Sequence, residues 1–308
     1  MERARETIRG AAIETPLVRL EAPECPAEIW LKLECLQPIG SFKIRGAVNA
    51  IRQASRAATA AGVVTASAGN MAQGVAWAAR ELGVPGTIVV PEHAPQTKLD
   101  AIARLGGTVV KVTYERWWQA IVESRYDGLD GLFVHPVQDE AVMAGNGTIG
   151  LELAEQLEEF DAVIVPWGGG GLFTGIASAL AALRPGTKLY AAEPETGAPV
   201  AAALAGAAPS GYRPSFVDGA GSKSLLPVMW ERARPLLAGS HVVSLAEAAA
   251  AIRLLATRAR VVAEGAGALA VAAALEHGGP GERIVCVVSG GNIDPSRLAE
   301  ILAGRTPD

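Results

Sequence analysis

The sequence predicts an α/β protein built on mostly parallel sheet with helices packed on both faces. Two observations carry this. Short β-branched runs alternate with helical stretches along most of the 308 residues, the pattern of successive strand–helix–strand units. Several of those runs, such as Asp161-Ala162-Val163-Ile164-Val165 and Ile284-Val285-Cys286-Val287-Val288, are apolar with little alternation, as strands covered on both faces require. The length allows one large domain or two modest ones. A hydrophobic content of 50% with 35 glycines gives a substantial core and many tight loops.

Taken in order, residues 1–20 read as a polar helix followed by Thr15-Pro16-Leu17. Residues 29–36 alternate as a half-buried strand with Lys32 and Glu34 on one face, which makes Lys32 a solvated strand residue. Pro38 and Gly40 form a turn, and Ser41 is placed to cap a helix opened by Phe42 that runs to about Ser55. Strands at 62–65, 87–90 and 108–112 each precede a helix, the first ending at Leu82, the second at Arg104, the third spanning 117–126. Residues 132–134 close that series. A helix over 148–157 leads to the buried strand 161–165, a glycine run, a helix to Leu183 and a strand over 188–192. Residues 198–224 lack periodicity and read as loop with a short helix. Helices follow over 245–260 and 266–277, then the core strand 284–288 and a last helix from Pro295.

Bulk properties narrow the function. A net charge of −5 argues against a nucleic-acid footprint. The N-terminus has no apolar signal region, and the apolar tract 172–183 is too short to span a bilayer, so a soluble, cytoplasmic protein is expected. Cys25, Cys35 and Cys286 form no C-x-x-C pair, which suggests free thiols in a reducing compartment and no zinc site. Cys286, inside an apolar run, reads as a core filler.

Two stretches stand out chemically. Lys43 falls in the first turn of a predicted helix, where the macrodipole disfavours a cation, and Phe42 and Ile44 flank it. Such a lysine should lose proton affinity and suits a Schiff-base amine; a surface lysine near a helix start is the equal alternative. Pro166-Trp167-Gly168-Gly169-Gly170-Gly171-Leu172 lies between a strand and a helix, where converging backbone N–H groups suit a phosphate. The alternative is a close-packed turn, although four glycines exceed what a turn needs. No Gly-Lys-Ser/Thr follows, which sets a nucleotide P-loop aside.

Gln37-Pro38-Ile39-Gly40-Ser41-Phe42-Lys43-Ile44-Arg45-Gly46-Ala47 resembles the pyridoxal-phosphate (PLP) lysine motif of the threonine/serine dehydratase family, fold-type II PLP enzymes whose relatives include serine racemases. Cysteine synthases usually have Asn before the Pro and Asp-Arg after the Lys, so Gln37 and Ile44 sit on the dehydratase side. The likeness continues in Ser67-Ala68-Gly69-Asn70, Gly168 to Leu172, Ala191-Ala192-Glu193-Pro194-Glu195 and Val288-Ser289-Gly290-Gly291-Asn292, spanning about residues 30–295.

The resemblance implies two domains, each with a central mostly parallel sheet flanked by helices: a large PLP-binding domain from 1–49 and 139–308, and a small inserted domain, 50–138. It implies Lys43 as the catalytic, PLP-carrying lysine with Phe42 beside it. Gly168, Gly169, Gly170, Gly171 and Leu172 would cup the cofactor phosphate. Asn70 would meet the phenolic oxygen, and Ser289 the pyridine nitrogen. A neutral hydroxyl there makes a weaker electron sink than Asp would, favouring prompt loss of a β-leaving group. Ser67, Ala68, Gly69 and Asn70 would grip the substrate carboxylate. The implied activity is β-elimination of L-threonine, L-serine or a related β-hydroxy amino acid to a 2-keto acid and ammonia, by a homodimer. A serine racemase or a β-replacing synthase is the alternative. The chain ends soon after the last segment and is expected to lack the regulatory extension of biosynthetic threonine deaminases.

Several positions depart from the pattern. Met71 stands where His is common and Asn146 where Gln is usual, and Trp167 adds bulk beside the cup. Racemases have Ser at the position of Ala68, whose methyl group cannot exchange a proton. Glu193 matches the first ligand of a divalent cation found in some members, but the later carboxylate falls near Pro199, so no metal is expected and Glu193 is the one candidate. His135 before Pro136 reads as structural. A dinucleotide-binding oxidoreductase is the rival from other chemistry. Gly145-Asn146-Gly147-Thr148-Ile149-Gly150 fits G-x-G-x-x-G and Gly265-Ala266-Gly267-Ala268-Leu269-Ala270 fits its alanine variant, but neither has the strand and acid partner that fold needs.

Overall fold

A computed structural model describes residues 1–209 and 211–308. The strands are β1 (Leu17–Arg19), β2 (Glu28–Lys32), β3 (Val63–Ala66), β4 (Gly86–Pro91), β5 (Thr108–Val112), β6 (Leu132–Phe133), β7 (Ala162–Pro166), β8 (Lys188–Pro194), β9 (Gly239–Val243) and β10 (Arg283–Val287). The chain divides into two compact units, residues 1–13 with 37–148, and residues 14–36 with 149–308.

The first unit holds a parallel sheet in the order β5-β4-β3-β6. β3 is buried at every position, as its unbroken Val-Val-Thr-Ala run requires. The helices Lys43–Gln53 and Asn70–Leu82 share one apolar cluster in which Ile44, Ala47 and Ile51 meet Ala72, Val75 and Ala79. Gly74 permits their close approach: a Cβ there would stand 3.1 Å from the Ala47 methyl and 3.2 Å from the Lys43 carbonyl. Gly46 does the same against Val142, at 2.7 Å from a hypothetical Cβ. These contacts join residues 37–49 and 139–148 to the first unit, so the compact units differ from the boundaries that the family resemblance implies.

The second unit holds a sheet in the order β1-β2-β10-β7-β8-β9, parallel except where β1 pairs antiparallel with β2. β7 is buried throughout. The helix Gly265–His277 is buried from Gly265 to Ala274, and its Leu269 and Val271 join Ile29, Leu31, Ile164 and Cys286 in one core. Cys286 is a core filler with its thiol directed at the Ala270 carbonyl, 3.3 Å away, and burial pushes its pKa far up. All three cysteines are free and buried.

Lys32 corrects the sequence expectation. β2 stops at Lys32, and a 3-10 turn over Glu34–Leu36 replaces the rest of the expected strand. Lys32 is wholly buried rather than solvated, because its ammonium donates to Glu152 at 2.5 Å, to Gln156 at 2.8 Å and to the Thr15 carbonyl at 2.8 Å. The helix Glu140–Gln156 begins well before the expected residue 148, since the Asp139 carboxylate accepts from Ala141 and Val142 N–H at 2.8 and 3.2 Å. It takes in the Gly145–Gly150 motif, in which Gly145 lies against the Arg45 backbone and Gly150 against Ala179 and Ile176. Short edge strands β1 and β9 had no signal strong enough to predict them. No helix among the described residues is long and apolar enough to cross a membrane.

Candidate active site

In the first unit, Gly40, at φ 71°, closes a turn in which its N–H donates to the Gln37 carbonyl at 2.6 Å. The Gln37 amide pairs both ways with Ile13, and the buried Arg45 guanidinium donates to Thr148 at 2.9 Å and to the Ile13 carbonyl at 3.1 Å. These bonds fix the start of the helix Lys43–Gln53, so that Lys43 does open the first turn. Ser41 does not cap it. Phe42 takes the cap position with helical angles, φ −55° and ψ −21°, and the Ser41 hydroxyl is buried with no hydrogen-bond partner. The half-buried Lys43 lies with Nζ 5.1 Å from the Phe42 ring centroid and donates to the Pro136 carbonyl at 2.9 Å. Sequence offered no sign of Pro136 as a partner, since 93 residues separate the two.

His135 adjoins Pro136. It is buried, and its Nδ1 accepts from Val137 N–H at 3.1 Å and Gln138 N–H at 3.0 Å. Burial, and next the Lys43 charge, lower its pKa to about 4, so the ring is neutral. After β3, Ser67 Oγ accepts from Gly69 N–H at 3.2 Å and the helix starts at Asn70. Residues 67–70 are half-buried, and a side chain at Gly69 would meet nothing. Met71 turns into the apolar cluster, 2% exposed. Asn146 is buried against Gly46.

In the second unit, the glycine run joins β7 to the helix Gly171–Leu183. Trp167 anchors it: its N–H donates to the Ala192 carbonyl at 2.8 Å, its carbonyl accepts from Gly221 at 2.9 Å, and its ring packs 5.5 Å from that of Phe173. Gly170 has φ 93°, a conformation that favours glycine. The helix N-terminus supplies N–H groups and positive potential, with no charged side chain in the run. Within the first turn, the Thr174 hydroxyl is buried without a partner. A backbone cradle with a donor held beside it fits a phosphate; Thr174 went unnoticed in the sequence, where it is one more small helical residue.

Ser289, 3% exposed, follows the neighbouring strand β10. Cys286 pairs with Ile164, so Ser289 and Trp167 each lie three residues beyond a matched position. The C-terminal ends of adjacent parallel strands thus bring the serine and the glycine run to one edge of this sheet, where ligands of such sheets bind. Gly290 accepts from Glu264 N–H at 3.0 Å, which pins the serine loop to the start of the helix Gly265–His277. At the opposite strand ends lies a cavity of about 1150 Å³ whose lining includes the ion pairs Arg283–Glu28 and Lys188–Glu282. Its size exceeds its chemical content, and it is not the candidate site.

Glu193 has another occupation. Its carboxylate accepts from Val200 and Ala201 N–H, both at 2.9 Å, and from the Ser240 hydroxyl at 2.8 Å, capping the helix Pro199–Leu204 from a distance. Burial raises its pKa, against the pull of those bonds. Among the described residues no group of three or more His, Cys, Asp or Glu is placed to hold a metal ion.

The pyridoxal-phosphate dependent enzyme family matches over residues 8–290. The chain belongs to this family. As a family member it is similar to the L-threonine ammonia-lyase of Thermotoga maritima, at 39% identity over 89% of this chain and 70% of that protein. Among solved structures, the processed form of threonine deaminase isoform 2 from Solanum lycopersicum superimposes with a TM-score of 0.86, at 33% identity, covering 99% of this chain and 93% of that one. Maize serine racemase gives a TM-score of 0.86 at 30% identity, covering 98% and 97%. The fold is that of the fold-type II PLP enzymes.

Proposed function

We infer that this family member is a PLP-dependent lyase that converts a β-hydroxy amino acid such as L-threonine or L-serine to a 2-keto acid and ammonia. The observation that carries the reading is Lys43: one lysine in the dehydratase-type motif, its amine half-buried, held by the Pro136 carbonyl and beside the Phe42 ring. Likeness to a threonine ammonia-lyase over most of both chains supports it.

Lys43 would hold PLP, and Gly168, Gly169, Gly170, Gly171 and Leu172 would receive the phosphate on backbone N–H groups, with Thr174 as a further donor. Asn70 would meet the ring oxygen, and Ser289 the ring nitrogen. When bound, PLP supplies the electron sink that makes the substrate Cα–H acidic. The same Lys43 amine that would hold PLP would also take the proton from the substrate Cα, and its place on the chain beside that atom builds proximity in. Ser67, Ala68, Gly69 and Asn70 would fix the substrate carboxylate at a helix start. With no proton-exchanging group at Ala68, Lys43 works from one face, and loss of the β-hydroxyl outruns inversion. A homodimer in the cytoplasm accompanies this reading. Backbone amides and Ser240 already donate to the Glu193 carboxylate, the one candidate cation ligand.

The test is release of 2-keto acid across a panel of β-hydroxy amino acids, with sedimentation to give the oligomer. Keto acid from L-threonine or L-serine is expected; none from any member, with PLP bound, would overturn the reading.

A further inference from the structure

We propose that His135 is a positioning residue for Lys43, orienting the Pro136 carbonyl that receives the lysine's free amine. The proposal rests on the function inferred above. The Pro136 carbonyl and the Val137 N–H belong to one planar peptide and point in opposite directions. His135 Nδ1 accepts that N–H at 3.1 Å, and the next one, of Gln138, at 3.0 Å. Fixing the N–H fixes the carbonyl, which accepts from Lys43 Nζ at 2.9 Å. Proline adds a locked φ.

The imidazole is itself anchored. It is 4% exposed, and the preceding Val134 bonds to β3 on both sides, its N–H donating to the Val64 carbonyl and its carbonyl accepting from the Thr65 hydroxyl. Nδ1 accepts only while it carries no proton. Burial and the adjacent ammonium keep the ring neutral, and the two backbone N–H groups facing Nδ1 leave its one proton to Nε2. The lysine amine sits at the end of a flexible four-carbon tail. A fixed acceptor confines that tail near the place where it must act, and the imidazole sets the acceptor without touching substrate or cofactor.

The test compares His135→Leu with His135→Asn in PLP-loaded enzyme. An asparagine side-chain oxygen accepts from the N–H groups two and three residues on, as His135 does, whereas leucine cannot. His135→Leu should lose kcat by about tenfold or more with KM changed by less than about threefold, the mark of a misplaced group. His135→Asn should hold kcat within about threefold of the unaltered enzyme. Full kcat in folded His135→Leu, or an equal loss in both variants at equal PLP content, would overturn the proposal. Should the leucine variant not fold, imidazole ¹⁵N NMR of the unaltered holoenzyme decides. An unprotonated Nδ1 at neutral pH is expected, and a proton on Nδ1 contradicts the geometry. If the unaltered enzyme releases no keto acid, the functional reading fails, while the NMR result still judges the His135–Pro136 arrangement.

Discussion

The Trp167 indole occupies the space that a side chain at Gly170 would need: a Cβ there would stand 2.8 Å from ring carbon Cη2. Gly170 also sits at φ 93°. Gly170→Val therefore meets a clash and a backbone penalty together, of order 1–3 kcal/mol for the backbone alone. PLP affinity of the folded variant should fall by about tenfold or more. Fluorescence or absorbance titration with PLP measures this, and unchanged affinity would remove the glycine run from the phosphate site.

The ion pair of Lys32 with Glu152 lies out of water, and the Thr15 carbonyl and Gln156 also accept from the lysine. Removing one partner strands a buried charge. Glu152→Ala should cost about 3–5 kcal/mol, read as a lower urea midpoint. A cost below about 1 kcal/mol, the range of surface pairs, would mean that water reaches Lys32.

Acid should weaken the fold through two histidines. His135 and His241 are each lowered from the ordinary 6.5 to about 4, chiefly by burial, and next by Lys43 for the first and His277 for the second. The unfolded chain then binds more protons between those values, so stability is full above about 6.5 and falls as pH drops toward about 4. Glu193, raised by burial, acts in the opposite sense. His241→Phe keeps a ring for the stack with His277 and the tilted contact with Tyr190, and removes one titration. Urea unfolding across this range should give a shallower pH slope for the variant, and an identical slope would show that His241 titrates normally.

Much of the candidate site was readable because its parts are local. The turn at Gly40, Lys43 in a first helical turn and the glycine run after β7 each declare themselves within a few residues. What the sequence hid depends on distant partners. Lys32 looked like a solvated strand residue because Glu152 is 120 positions away. Ser41 looked like a cap because nothing local says that Phe42 adopts helical angles first. Glu193 matched only the first ligand of a cation site, and nothing local shows that its carboxylate accepts from the amides of Val200 and Ala201. The short edge strands β1 and β9 have too few apolar positions to announce themselves.

Ala68 decides between elimination and racemisation in this account. Chiral analysis of unreacted L-serine or L-threonine should find little epimer while keto acid accumulates. Ala68→Ser should raise the share of inversion by supplying a second proton-exchanging group. Epimer appearing faster than keto acid in the unaltered enzyme would place the activity with the racemases.

The central claim is that Lys43 carries the cofactor. Borohydride reduction of the holoenzyme, followed by digestion and mass mapping, tests it directly, since the chain has five other lysines to compete: Lys32, Lys98, Lys111, Lys188 and Lys223. The pyridoxyl group should be found on the peptide containing Lys43 and should be absent from Lys43→Ala. A pyridoxyl group on any of the other lysines in the unaltered enzyme would contradict the account.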